Sequence, residues 1–286
     1  MTARILKGSD AAKALGRDIL SETAKLKETG VIPTLAIVRV GEKADDIYYQ
    51  KSAEKRCSVL GITSEIYAFD FGITGDELIN EIINLNLDDA VHGILILRPL
   101  PEHINDASVC AALDPDKDVD GITDRSLAGV MKNQKQGFAP CTARACVELL
   151  KYYNIDTKGK TAVVVGRSLV VGRPVSLMLT ALDATVIVCH TKTRNLAEVT
   201  RLADILVAAA GSEGLIGKEH IKPGAVVIDV GTNAVEGGGF SGDVNFETAS
   251  SVASAITPVP GGIGALTSTI LALHTVKAAA RQTEKE

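Results

Sequence analysis

The stretch TAVVVGRSLVVGRP, residues 161–174, constrains this chain more than any other. Four apolar, mostly β-branched residues, Ala162, Val163, Val164 and Val165, predict a strand buried on both faces, as in a parallel sheet. Gly166, the polar pair Arg167-Ser168 and a second glycine, Gly172, follow. Pro174 sits where its fixed φ and missing N–H suit the first turn of a helix. Strand, glycine turn and helix N-terminus together aim free backbone N–H groups and the helix dipole at one spot, which makes an anion site. The spacing departs from GxGxxG, because Ser168 replaces the middle glycine. An ordinary βα turn is the plainer reading of these residues alone.

Bulk properties narrow the field. At 286 residues the chain has room for one large or two ordinary domains, and 46% hydrophobic against 23% charged residues predicts a packed globular protein. A net charge of −5 argues against nucleic acid as a partner, and with no Trp there is little for bases to stack on. The five cysteines are odd in number and unclustered, so neither a disulfide framework nor a metal site is expected, and a reducing cytoplasm fits. The N-terminus lacks the apolar core of a signal peptide, and no apolar run nears the roughly 18 residues of a membrane span. A soluble protein with no membrane partner is the expectation.

Strands and helices alternate along the chain. Helices are predicted over 9–30, 45–60, 75–87, 142–153 and 265–281, the last of them amphipathic. Strands are predicted over 34–40, 62–67, 93–97, 162–165, 185–189, 204–208, 225–230 and 254–257. This alternation predicts parallel sheets with right-handed crossovers. A break near residues 137–140 separates two α/β units. The segment DPDKDVDG, 114–121, reads by itself as a solvated acidic loop.

In an open parallel sheet, ligands bind beyond the carboxyl ends of the strands. Gly166, Arg167 and Ser168 lie there. So does the segment 190–193, where NAD sites usually carry an acidic residue for the ribose 2′-hydroxyl. Here the position is polar and basic. Arg167, Thr191 and Lys192 suit a 2′-phosphate, so NADP is expected, with NAD as the alternative; a solvated basic rim is the plainer reading. Gly211-Ser212 and Gly231-Thr232-Asn233 end later strands near the same edge. In the first unit, Tyr49 lies on a helix beside a strand end, a place where a tyrosine is usually half-buried packing. No GxSxG, HExxH or CxxC occurs, which removes the common hydrolase and zinc readings.

Four separated segments, DPDKDVDG (114–121), VVVGRSLVVGRP (163–174), VIDVGTN (227–233) and TPVPGGIG (257–264), resemble the methylenetetrahydrofolate dehydrogenase/methenyltetrahydrofolate cyclohydrolase family, across nearly the whole chain. The resemblance implies two α/β domains around a cleft, the second a Rossmann-like doubly wound parallel sheet. It implies a folate-binding catalytic domain over 1–140 and an NAD(P)-binding domain over 141–264, with helix 265–286 packing on the first. Tetrahydrofolate derivatives are the implied substrates, and a homodimer the implied assembly. By the same resemblance, Asp120 holds the pterin and Tyr49 stacks on the aminobenzoyl ring, the two forming the catalytic set. Pro260, Gly261 and Gly262 line the folate side. Gly166, Arg167, Ser168 and Gly172 bind the cofactor, with Thr191 near the adenosine ribose; Thr232 joins them by its position at a strand end on the same edge.

Two positions depart from the family pattern. A lysine is expected four residues after the helix tyrosine, one turn away on the same face, and Ala53 stands there. Lys51 and Lys55 are each two residues off, about 200° around the helix. A glutamine is expected before the Pro-Leu-Pro that begins at Pro99, and Leu97 stands there, with Arg98 one residue late. Hydride transfer from methylene-tetrahydrofolate needs positioning and a field. Hydrolysis of the methenyl product needs an activated water and proton transfers. The expectation is therefore an NADP-dependent dehydrogenase with weak or absent cyclohydrolase activity. The alternatives are the full bifunctional enzyme producing 10-formyltetrahydrofolate, with Arg98 or a rearranged lysine carrying the proton, and a silent NADP- or folate-binding regulator.

Overall fold

A computed structural model of the chain describes residues 3–134, 136–235 and 238–284. In chain order the elements are β1 (Arg4–Ile5), α1 (Gly8–Glu28), β2 (Thr34–Val40), α2 (Ala44–Val59), β3 (Thr63–Phe69), α3 (Gly75–Leu87), β4 (Gly93–Ile96), α4 (Asp106–Ala112), α5 (Asp124–Lys132) and α6 (Cys141–Tyr152). There follow β5 (Thr161–Val165), α7 (Gly172–Thr180), β6 (Thr185–Cys189), α8 (Leu196–Thr200), β7 (Ile205–Ala208), β8 (Val226–Asp229), β9 (Asn233–Ala234), β10 (Phe240–Ser241), α9 (Phe246–Ser250), β11 (Ala255–Ile256) and α10 (Ile263–Thr283).

Two α/β domains result. In one, a three-stranded parallel sheet runs in the order β3-β2-β4. Beyond β4, Ile94 bridges in parallel to Asp118, and its N–H donates to the Lys117 carbonyl at 2.8 Å. The segment 114–121 is thus seated along the sheet at Lys117 and Asp118, not solvated as its charge predicts. Lys117 is 5% exposed, and its ammonium donates to the carbonyls of Leu85 and Asp88. Val38, Ile94 and Ile96 meet Leu78, Ile82 and Leu85 of α3 in a common core. α3 starts in a reciprocal cap, the Thr74 hydroxyl taking the Glu77 N–H and the Glu77 carboxylate taking the Thr74 N–H.

The other domain carries a six-stranded, wholly parallel sheet in the order β1-β11-β8-β7-β5-β6. From β5 the chain steps outward to β6, then returns to the other side of β5 for β7 and β8. This reversal is the topological switch point of a Rossmann-like doubly wound sheet. Val163, Leu206, Val227 and Ile256 fill its core.

Residues up to Lys13 cluster with Thr142–Thr267, whereas Ala14–Cys141 cluster with the residues from Ser268 onward. Assigning all of 1–140 to one domain therefore needs correction. β1 pairs with β11, Arg4 opposite Ala255, so the first strand belongs to the six-stranded sheet. The last helix also differs from expectation. α10 is buried on nearly every face rather than amphipathic, and it is long and apolar enough to cross a membrane by length and composition. Most of that apolar stretch, 72%, is buried inside the fold, as in a core helix. Gly93 of β4 lets it approach closely: a Cβ there would lie 2.6 Å from a Val119 methyl and 3.4 Å from the Thr275 hydroxyl.

Candidate functional site

In the three-stranded domain the site grows from a buried carboxylate. Asp118 is fully buried and accepts from the N–H groups of Gly121, Ile122 and Thr123 and from the hydroxyls of Thr123 and Ser126, all at 2.6–3.0 Å. These bonds curl 118–123 into a tight turn, and Thr123 then caps α5. Gly121 takes φ +75°, and a Cβ there would lie 2.6 Å from the Phe138 carbonyl oxygen, so only glycine fits. The turn holds Asp120 beside Tyr49 of α2, Cys141 of α6 and, from the end of β4, Arg98.

Burial pushes the Asp120 carboxyl up to about 7, with help from the Asp118 charge; a hydrogen bond with Cys141 and the Arg98 cation pull the other way. This acid gains or loses its proton near neutrality. Tyr49 is half-buried, and burial, then the Asp120 charge, raise its phenol well above the ordinary range, which keeps it a neutral donor. Tyr49, Ala53 and Cys57 lie at i, i+4 and i+8 on α2, and Ala53 and Cys57 are fully buried. Lys51 and Lys55 are exposed. Leu97 is 4% exposed, with its N–H on the Val38 carbonyl. Arg98 grips Asp106 with two hydrogen bonds, which raise its pKa further and hold its proton. Arg98 is therefore poorly suited to the proton-carrier role.

In the six-stranded domain the glycine turn stands at the switch point. Gly166 has φ +127°, and a Cβ there would lie 2.0 Å from the Ala209 carbonyl oxygen at the end of β7. A Cβ at Gly172 would lie 2.2 Å from the Gly166 carbonyl oxygen. Residues 167–170 are exposed above this turn, and the Ser168 hydroxyl accepts from the Val171 N–H at 3.1 Å. α7 has no side-chain cap at its start; the Arg173 N–H donates to the Ser168 carbonyl at 3.0 Å and Pro174 has no N–H, so the first turn offers a ligand at most the Gly172 N–H. Thr191, Lys192 and Thr232 are exposed at the ends of β6 and β8. The turn thus offers a cradle that a side chain would fill, with Arg167 and Lys192 as exposed cations. That fits a phosphate-bearing dinucleotide.

Pro260, Gly261 and Gly262 belong to the six-stranded domain, apart from the cluster that holds Tyr49 and Asp120. Pro260 and Gly261 are exposed, while Gly262 is buried against Gly8, whose N–H donates to the Gly261 carbonyl at 2.9 Å.

Sequence reasoning missed two groups. One is Cys141 with His274, which adjoin Asp120; the cysteine is unclustered in sequence, and 133 positions separate the pair. The other is the buried pair Asp229 and Asp243. Asp243 accepts from the N–H groups of Ala210, Gly211 and Ser212 and from the Asn233 amide. Asp229 accepts from the N–H groups of Gly231, Asp243 and Val244, and burial raises its carboxyl to about 6. The two carboxylates tie together the loops that leave β7 and β8. A Gly-Asp pair in a glycine-rich turn carries no sequence signal for that.

A family model described as "Tetrahydrofolate dehydrogenase/cyclohydrolase, catalytic domain" matches residues 6–120, and "Tetrahydrofolate dehydrogenase/cyclohydrolase, NAD(P)-binding domain" matches 140–283. The chain is similar to a Brevibacillus brevis protein named Bifunctional protein FolD, 46% identical over 285 residues and covering 100% of both chains. Among solved structures, it resembles a bifunctional methylenetetrahydrofolate dehydrogenase/cyclohydrolase from Campylobacter jejuni, with a TM-score of 0.95 and 40% identity over 98% of this chain and 99% of the other. It also resembles the Trypanosoma brucei methylenetetrahydrofolate dehydrogenase-cyclohydrolase complexed with NADP cofactor and inhibitor, with a TM-score of 0.94 and 34% identity over 99% of each chain.

Proposed function

This chain belongs to the tetrahydrofolate dehydrogenase/cyclohydrolase family, and from that premise we propose that it oxidises 5,10-methylenetetrahydrofolate to 5,10-methenyltetrahydrofolate, with NADP as hydride acceptor. The observation that carries this reading is Asp120, held by the Asp118 turn beside the neutral phenol of Tyr49. A carboxyl there suits the amide and amino edge of a pterin, and Tyr49 suits the aminobenzoyl ring. On the other domain, Gly166, Arg167, Ser168 and Gly172 would hold the pyrophosphate, with Thr191 and Thr232 beside the nucleoside parts. Pro260, Gly261 and Gly262 would be substrate-binding residues of their own domain. When bound, the nicotinamide supplies the hydride chemistry. The protein's part is to orient the one-carbon bridge and keep the pterin edge hydrogen-bonded. Reduction of NADP that depends on methylene-tetrahydrofolate tests the reading, and its absence would leave a silent binding protein.

The second step divides the observations. The Campylobacter jejuni and Trypanosoma brucei relatives are named for both activities, which favours the complete dehydrogenase/cyclohydrolase and 10-formyltetrahydrofolate as product. The chain's own residues favour a weak second step. Ala53 presents a methyl where a basic group would reach past Tyr49, Leu97 presents no polar atom, and Arg98 is engaged by Asp106. Following the methenyl chromophore separates the two: accumulation supports the weak step, and steady passage to formyl product supports the full enzyme.

The basic rim of Arg167 and Lys192 supports NADP over NAD, which a comparison of KM for the two cofactors checks. A homodimer in the cytoplasm completes the proposal. The outer strand β3, beside the exposed Phe71, supplies a pairing edge, and light scattering reads the mass.

A further inference from the structure

The loops that leave β7 and β8 meet at one buried side chain that the proposed chemistry does not use. Asp243 has no exposed surface and lies between β10 and α9. Its Oδ2 accepts from the N–H groups of Ala210 and Gly211 at 2.6 and 3.0 Å. Its Oδ1 accepts from the Ser212 N–H at 2.9 Å and from the Asn233 amide at 3.0 Å. Its own N–H donates to Oδ1 of Asp229, the last residue of β8, at 3.0 Å. Gly231 is packed against it as well, since a Cβ there would lie 2.3 Å from Oδ1. An ionised carboxylate offers about four lone-pair sites, and these four donors take them. Asp243 therefore has nothing left to offer a ligand, and whatever it does for one it does through its neighbours.

Those neighbours adjoin the glycine turn. The Ala209 N–H donates to the Val165 carbonyl at 2.8 Å, and the Ala209 carbonyl oxygen is the atom that leaves no room for a side chain at Gly166. Thr232 stands between Gly231 and Asn233, both held against Asp243. Successive backbone N–H groups that converge on one point form an anion-binding concavity. The run 210–212 is such a concavity one loop away from a turn suited to phosphate, and the protein's own carboxylate fills it. We infer that Asp243 is a positioning residue for the dinucleotide: it closes the N–H run of 210–212 to phosphate, leaving phosphate to the Gly166 turn, and it holds Ala209 against that turn and Thr232 at the end of β8. The inference rests on the reading of the Gly166 turn as the NADP site. Asp229 does not share the role, because its acceptor bonds go to Gly231, Asp243 and Val244 and to no residue of the β7 loop.

The test is calorimetric titration of the full-length protein with NADP, read beside amide hydrogen exchange at 210–212. Asp243→Asn turns an NH2 group toward backbone donors. It is expected to speed exchange at 210–212 and to weaken NADP about tenfold, with the loss in KM for NADP rather than in kcat. In Asp243→Ala the concavity is empty, so inorganic phosphate at constant ionic strength is expected to slow exchange at 210–212 there and not in the parent. A folded Asp243→Asn that binds NADP as the parent does overturns the inference, and so does a folded alanine variant whose exchange phosphate leaves unchanged. Where neither variant folds, Asn233→Ala, which releases the β8 loop alone, carries the test. NADP weakened about threefold supports the inference, and an unmoved affinity overturns it. A parent that binds neither NADP nor NAD sinks the cofactor reading and this inference with it. A parent that binds NADP, with variants that bind it equally, sinks this inference and leaves the proposed function standing.

Discussion

Gly172 sits so close to Gly166 that a methyl on it would lie 2.2 Å from the carbonyl oxygen of Gly166. Two glycines six positions apart thus meet backbone to backbone, and the first turn of α7 rests on the turn that ends β5. Gly172→Ala must push that turn aside. We expect a stability loss of about 1–3 kcal/mol and at least a tenfold rise in KM for NADP, with folate affinity unchanged. Cofactor titration beside urea denaturation checks both, and equal loss of both ligands would contradict the assignment.

Restoring the missing proton chemistry is a sharper test of the second step. In Ala53→Lys with Leu97→Gln, an ammonium one turn beyond Tyr49 and an amide at the end of β4 rejoin the site. Methenyl hydrolysis is expected to rise about 10²-fold or more, while the dehydrogenase rate changes little. Burying both groups is expected to cost about 1–3 kcal/mol of stability. A parent protein that already hydrolyses methenyl-tetrahydrofolate as fast as it forms it would show that neither residue is needed.

Asp120 sets a pH dependence whose sign follows from its raised pKa. Unfolded, this carboxyl titrates near its ordinary 3.8; folded, it titrates at about 7. Between those values the folded state binds more protons, so its contribution to stability falls as pH rises. Asp120→Asn removes the cost of the buried charge. The variant is expected to be more stable than the parent at pH 8, by about 2–4 kcal/mol, with the gap shrinking as pH falls toward 4. Paired denaturant titrations measure it. A gap that stays constant with pH would mean that the folded carboxyl is not perturbed.

Asp243 is predicted to matter far more than its obscure sequence setting suggests. Truncation to alanine leaves the N–H groups of Ala210, Gly211 and Ser212 and the Asn233 amide without their acceptor. A loss of about 3–5 kcal/mol is expected, with a smaller loss for Asp243→Asn, which keeps one acceptor oxygen. Thermal denaturation of the two variants orders them, and an alanine variant as stable as the asparagine one would contradict the network.

Elements were legible in the sequence where burial imposes a pattern and obscure where it does not. β5 is predicted to within one residue, Ala162–Val165 against Thr161–Val165, because a strand buried on both faces must be apolar throughout and Thr161 at its start is only half-buried. α3 matches its predicted range, 75–87, and the structure shows what fixes its start, the reciprocal cap of Thr74 with Glu77. α4 and α5 lie unpredicted between 105 and 133, being short helices started by Asn105 and Thr123 among polar residues. β1 is two residues long with both exposed, so nothing marks it until β11 is there to pair with. The same holds for the candidate site. Gly166 and Gly172 are readable from local geometry, and Tyr49 and Asp120 only through family resemblance. Cys141, His274 and Asp243 act through partners distant in sequence, which no local pattern encodes.

The pairing of Arg4 with Ala255 also has a consequence for how the protein is made. Of the described strands, β1 comes first in the chain and is the outermost of its sheet, and its one strand partner among the described residues, β11, comes last. Such a contact is about as non-local as a chain of this length allows, and non-local contacts form late and slowly. The residues of β1 must therefore wait, unpaired, until β11 has been made. A nascent chain stalled before residue 255 would expose its N-terminal segment to protease even after β5, β6, β7 and β8 had assembled.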